Sequence, residues 1–304
     1  MEPKKITHFL YVPFTGLGLY GGYRGKRWLR NRIKIFTQFV TPSLLAQTSK
    51  NFTLWVSWRH EDRHNPQVKK FKEYLDNIKD FKSVFTYSGV CFWDDKYPDE
   101  IARSRLAEAV HGSLADLFPA IGSVDYVYMT IQPSDDCYHK EMVEQIQTAF
   151  NKMPEIQALG FKRGYIMNYR TLELANYDPD TTPPFFTIKF PTPLFIEPWK
   201  HVEYTGPYKS HEYIGDKLKF GAIDERGFIA GTHGENISTH FNHPFKGEMV
   251  DKSILKEFGL ENAEPLRLQI NLRKVLMRKL PHSWQRKFRY IFGEKFYSRV
   301  YEFL

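Results

Sequence analysis

Up to about residue 153, short apolar runs alternate with segments of helical spacing, and this alternation limits the fold more than any other feature. Residues 6–13, 52–58, 83–87 and 125–131 read as strands, each a short apolar run closed by polar or turn-forming residues. Residues 28–39, 68–78, 100–118 and 139–153 carry apolar side chains at helical intervals. Pro42 interrupts the first helix, and residues 43–48 continue it. Strand–helix–strand repetition of this kind predicts an α/β chain with a mainly parallel, doubly wound sheet flanked by helices.

The second half changes character. Residues 160–174 read as a strand pair, 185–190 as a short strand, 197–214 as an aromatic- and histidine-rich loop region, and 226–231 as a last strand. From residue 266 onward the chain is basic and amphipathic. The expected division is a main domain over residues 1–250 and a basic helical C-terminal extension over 251–304.

A chain of 304 residues can bury a core without disulfides, and its two cysteines, Cys91 and Cys137, lie far apart in sequence. They point to a reducing compartment and cannot form a zinc site alone. The first residues run straight into a strand, without the apolar core and cleavage site of a signal peptide. No uncharged apolar run reaches the roughly 20 residues of a membrane helix. The expected location is cytoplasmic. The net charge of +8 favours acidic partners: nucleotide phosphates, nucleic acid or an anionic membrane. No nucleic-acid motif accompanies that charge, so nucleic acid is not the expected partner. The basic tail suits either peripheral membrane contact or helices packed on the domain.

Ser134-Asp135-Asp136 follows the fourth strand directly, and open α/β sheets bind ligands beyond the carboxyl ends of their strands. Adjacent carboxylates there make a hard-oxygen site suited to Mg²⁺ or Mn²⁺; an N-cap for the next helix is the equal alternative. His233, after the last strand, is a possible further metal ligand or a hydrogen-bonded turn residue. Glu212, then Glu203 and His211, are candidate general bases in the aromatic loop, where Trp199, Tyr204 and Tyr208 suit sugar stacking. The glycine-rich loop after strand one contains Thr15, Gly16, Gly18, Gly21, Gly22 and Arg24, a weak phosphate-binding pattern. Arg27 and Arg32 are candidate phosphate contacts or plain surface arginines. Asp62 suits a base or ribose contact or a helix cap. Asp94-Asp95 reads as a solvated turn.

The stretch from Phe36 to Trp55, with its Pro42-Ser43-Leu44 and Gln47 pattern leading to Phe52-x-x-Trp55, resembles the start of the rhamnosyltransferase-like family of GT-A glycosyltransferases. Ser134-Asp135-Asp136 is similar to that family's acidic turn, and His233-Gly234-x-Asn236-Ile237-Ser238 to its C-terminal stretch. The resemblance covers residues 6–244 in patches. It implies a GT-A-like fold, a nucleotide-sugar donor and a divalent metal, Mn²⁺ or Mg²⁺; the expected reaction is sugar transfer to a glycan, lipid-linked or other hydroxyl acceptor. Carried over, Asp135 and Asp136 are metal and donor ligands and His233 a further contact to the metal; read from the residues themselves, Thr15, Arg24, Arg27, Asp62, Ser134 and Asp135 are the candidate donor-binding residues. The chain departs from the family at Pro133, where the related turn has an earlier acidic residue. A metal-dependent phosphoester hydrolase and a noncatalytic glycan- or nucleic-acid-binding scaffold remain alternatives.

Overall fold

In β1 (Ile6–Pro13) the consecutive residues Phe9, Leu10, Tyr11 and Val12 are all fully buried, so this strand is covered on both faces. Unbroken apolar runs of this kind belong to the inside of parallel sheets. β1 pairs in parallel with β2 (Thr53–Ser57) and β4 (Tyr126–Ile131), and β2 pairs in parallel with β3 (Lys82–Thr86). The strand order is therefore β3-β2-β1-β4. This computed structural model describes residues 4–15, 25–89, 98–180, 185–206, 211, 214–234, 236 and 239–268.

Two apolar layers enclose these strands. On one face, α1 (Gly25–Ile35), α3 (Pro66–Asp76) and α5 (Met142–Lys152) pack Leu29, Phe71 and Ile146 with Leu10, Val12 and Leu54. On the other, α4 (Asp99–Ile121) lays Leu106, Val110 and Leu114 against Phe9, Tyr11 and Trp55. Asn65 starts α3 by accepting the Gln67 N–H at 2.9 Å, with Pro66 at the first helical position. Pro42 does not break its helix. A π turn (Phe36–Val40) precedes α2 (Thr41–Leu45) and carries the chain past the missing N–H.

Beyond β4 the sheet reverses. β8 (Phe186–Pro191) joins β4 antiparallel, followed by β6 (Ala158–Asn168), β7 (Glu173–Tyr177) and β10 (Lys246–Met249). β9 (Phe220–Thr232) runs parallel to β6 and also pairs with the two-residue β5 (Cys137–Tyr138). The sheet is thus parallel over its first four strands and mixed beyond them. Flanked by helices on both faces, it is an α/β architecture of the layered kind expected of the chain.

Two local differences from the sequence reading have physical causes. α5 starts at Met142, not residue 139, because Cys137 and Tyr138 are taken up by β9 and the His139 N–H donates to Gly227 O. The expected loop of 197–214 holds α7 (Pro198–Thr205), after the short α6 (Thr192–Ile196). Glu197 caps α7 by accepting the N–H groups of Trp199 and Lys200 at 3.2 and 3.0 Å. α8 (Ile214–Lys217) follows.

A third apolar cluster gathers Ile35, Phe39, Tyr169 and Ile229 with Leu255, Phe258 and Leu266. It fastens the segment containing Leu255 and Leu266 to the sheet, whereas residues 269–304 of the basic tail lie outside the described residues. Among the described residues no helix is long and apolar enough to cross a membrane.

Candidate functional site

From β1 the chain winds to β2 and β3 on one side, and β4 lies on the other. The carboxyl ends of β1 and β4 therefore flank a topological switch point, the usual ligand crevice of an open α/β sheet. Gln132 prolongs β4 there, its N–H donating to Tyr11 O at 2.8 Å. Its side-chain amide donates to Pro133 O at 3.0 Å and Asp136 O at 2.9 Å. These bonds gather residues 133–136 into a turn at the mouth of the crevice.

Asp135 is held from several directions. Its Oδ2 forms an ion pair with the Arg32 guanidinium of α1, the two side chains being 15% and 6% exposed. The same oxygen accepts from His233 Nε2 at 3.0 Å and from Asn236 Nδ2 at 3.4 Å. Asn236 also accepts the His233 N–H at 2.8 Å and donates to Gly231 O at 2.7 Å. The main-chain oxygen of Asp135 accepts from the Tyr169 hydroxyl at 2.8 Å. Burial opposes the charge of Asp135, but the Arg32 guanidinium and the His233 hydrogen bond outweigh it and hold the carboxyl below the usual range.

Asp136 behaves oppositely. Its Oδ1 accepts the Gly231 N–H at 2.7 Å. Burial, followed by the neighbouring charge of Asp135, pushes its carboxyl well above the usual range. The two adjacent carboxyls are thus shifted in opposite directions by their surroundings. Gly231 is needed for this contact: a Cβ there would lie 2.2 Å from Asp135 O and 2.4 Å from the Tyr169 ring.

The expected Mn²⁺ or Mg²⁺ ligand set does not fit this arrangement. Asp135 Oδ2 is surrounded by three donors, and His233 Nε2 is directed at that oxygen. Among the described residues no group of three or more His, Cys, Asp or Glu side chains is disposed to hold a metal ion. The cation facing Asp135 is Arg32.

A second polar cluster stands at the carboxyl ends of β1 and β2. Thr15 Oγ1 donates to Asp62 Oδ2 at 2.8 Å and accepts the Arg59 N–H at 3.0 Å. Arg59 Nε lies 3.4 Å from the same carboxylate. Asp62 is buried in a 3₁₀ turn (His60–His64) and does not cap α3, since Asn65 does.

The other sequence candidates divide. Ser134 is half-buried within the acidic turn, and Arg27 is half-buried on α1. Glu203 is separated from the crevice. Because β8 is antiparallel to β4, the chain leaves it at the amino end of β4, where Thr192 N–H donates to Asp125 O at 3.0 Å. Glu203 is exposed on the α7 that follows. On the same helix Trp199 is 58% exposed, and the Tyr204 hydroxyl is tied to Lys189 O at 2.8 Å, so these rings form no stacking face with the acidic turn. His211 is half-buried ahead of α8. Gly16, Gly18, Gly21, Gly22, Arg24, Cys91, Asp94, Asp95, Tyr208 and Glu212 lie outside the described residues.

Sequence reading treated Arg32 as a marginal phosphate contact and passed over Tyr169 and the binding role of Asn236. One signal pointed to Arg32. It shares the buried face of α1 with Trp28, Leu29 and Ile35, and a charge on an apolar helical face requires a buried partner.

No family model matches the sequence, and no curated protein matches it. Among solved structures the chain is similar to S. aureus TarS 1–349, at 14% identity and a TM-score of 0.40, over 74% of this chain and 60% of that one. A second S. aureus TarS structure is 13% identical with a TM-score of 0.39, over 75% of this chain and 37% of that one. This chain therefore spans less than two thirds of either TarS chain. Mouse xyloside xylosyltransferase 1, in its apo form, is 12% identical with a TM-score of 0.37, over 72% of this chain and 85% of that one.

Proposed function

We propose that this chain is a glycosyltransferase that moves a sugar from a nucleotide-diphosphate donor to a hydroxyl group of a glycan or lipid-linked acceptor. The observation that carries the reading is the site of the Asp135-Asp136 turn at the β1–β4 switch point, joined to a buried guanidinium and a buried imidazole. Thr15 and Asp62 stand on the same strand edge, one and two strands away from β4, a span of about 5–10 Å at ordinary strand spacing. A nucleoside along that edge would meet Asp62 and Thr15, with its diphosphate towards Arg32.

In the transfer, the bond between the anomeric carbon and the diphosphate oxygen breaks, and a bond to the acceptor oxygen forms. The acceptor proton passes to a base, and the diphosphate leaves with the bonding electrons. Fixed positive charge at the leaving oxygen lowers the barrier without reorganisation. Asp135 orients that charge, and His233 and Asn236 orient Asp135. Of the three base candidates, Glu203 is remote from the crevice, and the base is left unassigned.

The test is a panel of nucleotide sugars, including nucleotide-linked rhamnose as the sugar suggested by the sequence resemblance. Release of nucleoside diphosphate is followed with and without glycan and alkyl-glycoside acceptors. Acceptor-dependent release that is lost in Asp135→Ala supports the transferase. Release indifferent to acceptor identifies a hydrolase. Nucleotide binding without turnover that survives Asp135→Ala/Asp136→Ala identifies a noncatalytic scaffold.

A further inference from the structure

We propose that the Arg32 guanidinium, braced by Asp135, is the positive charge that meets the donor diphosphate, so that donor binding needs no divalent cation. This rests on the transferase reading and adds to it the identity of the charged group.

Three observations carry it. First, the place beside Asp135 Oδ2 where a cation would sit holds a guanidinium from α1. A metal ion at that oxygen would compete with Arg32, His233 and Asn236. Secondly, part of the turn is already engaged or lacks a ligand atom. Asp136 Oδ1 is engaged by the Gly231 N–H, and Pro133 has no donor atom in its side chain. Thirdly, the charge of Asp135 is shared. His233 and Asn236 donate to the same oxygen, so Asp135 fixes the direction of Arg32 without being devoted to neutralising it. A guanidinium presents five N–H donors in a rigid fork that matches phosphate oxygens in bidentate fashion. Asp135 is thus a positioning residue, and Arg32 is the group that touches the ligand.

The experiment is calorimetric titration of the full chain with UDP, GDP, CDP, ADP and dTDP, first in EDTA and then in millimolar Mn²⁺. One nucleotide is expected to bind in EDTA, with its Kd changed by less than about threefold in Mn²⁺. Arg32→Lys keeps the charge but loses the fork, and should weaken binding about tenfold. Arg32→Gln/Asp135→Asn removes the buried charge with its partner, so that the variant stays folded as judged by its melting temperature. It should weaken binding about 100-fold or more. Binding that appears only with Mn²⁺ overturns the proposal and leaves the transferase reading intact. Undiminished binding by a folded Arg32→Gln/Asp135→Asn variant in EDTA also overturns it. Absence of binding by every nucleotide, with or without Mn²⁺, removes the transferase reading and this inference with it.

Discussion

The ion pair between α1 and the acidic turn sets a stability prediction that can be worked from its surroundings. Arg32→Met removes the guanidinium and leaves the Asp135 carboxylate, 15% exposed, with only the His233 and Asn236 donors. Stripping one partner from a buried pair costs about 3–5 kcal/mol, because the remaining charge is desolvated and uncompensated. Asp135→Asn does the same to Arg32, which is 6% exposed. Removing both leaves an uncharged contact, and the double variant should lose only about 1–2 kcal/mol, since replacing a whole buried pair with neutral groups is nearly neutral. A double-mutant cycle in urea, read by circular dichroism, should therefore give a coupling energy of at least about 4 kcal/mol. The pH dependence is also fixed. The folded carboxyl titrates below its unfolded value, so the pair's contribution is complete above about pH 4 and is lost only as pH falls below that. The coupling should be the same at about pH 7 and about pH 5. Single substitutions that each cost under about 1 kcal/mol, or that simply add, would show that the pair is solvent-screened. The case against a metal ligand at Asp135 would fall with it.

Two further expectations concern the folded core. Gly231→Ala forces a Cβ against Asp135 O and the Tyr169 ring, and that ring is stacked on Phe39 with centroids 3.8 Å apart, so neither can yield. It should cost about 3 kcal/mol. Gly215→Ala, with nothing closer than 3.8 Å, should stay within about 0.5 kcal/mol, and melting temperatures that rank the two otherwise would contradict the packing account. Burial lowers the pKa of His8 to about 3 and of His201 to about 4, both below the unfolded value. Their stabilising effect is whole above about pH 6.5 and declines as pH falls, by up to about 1.4 kcal/mol per pH unit for each histidine. Urea midpoints should drop between about pH 6.5 and 4, less steeply in His8→Gln; equal slopes would exclude His8 as a source of the acid sensitivity.

The parallel half of the fold was legible because its strands are buried on both faces and leave continuous apolar runs. Residues 9–12 need no knowledge of their neighbours to be recognised as interior. The mixed half was less so. α7 depends on Glu197 as a cap amid residues that read as an aromatic loop, and α5 loses its first turn to a partner strand that arrives much later in the chain. The Asp135-Asp136 turn was found from its position after β4. Glu203 was grouped with it because sequence does not reveal that β8 runs against β4 and delivers its downstream helices to the opposite edge. Arg32 was undervalued for a related reason. Its partner lies in another element, and only its place on the apolar face of α1 betrayed that it must have one.

The π turn at Phe36–Val40 has a bearing on how such a chain tolerates evolutionary change. Upstream of it Arg32 reaches Asp135; within it Phe39 stacks on Tyr169, whose hydroxyl holds Asp135 from the other side. Each residue turns an α-helix by about 100°, and a π turn amounts to one residue added to the α register. Excising a single residue there would restore regular winding and rotate one of these two side chains away from the acidic turn. Between Arg32 and Phe39 the number of residues is therefore expected to matter more than their identity at solvent-facing positions: losing one residue severs one hold on Asp135.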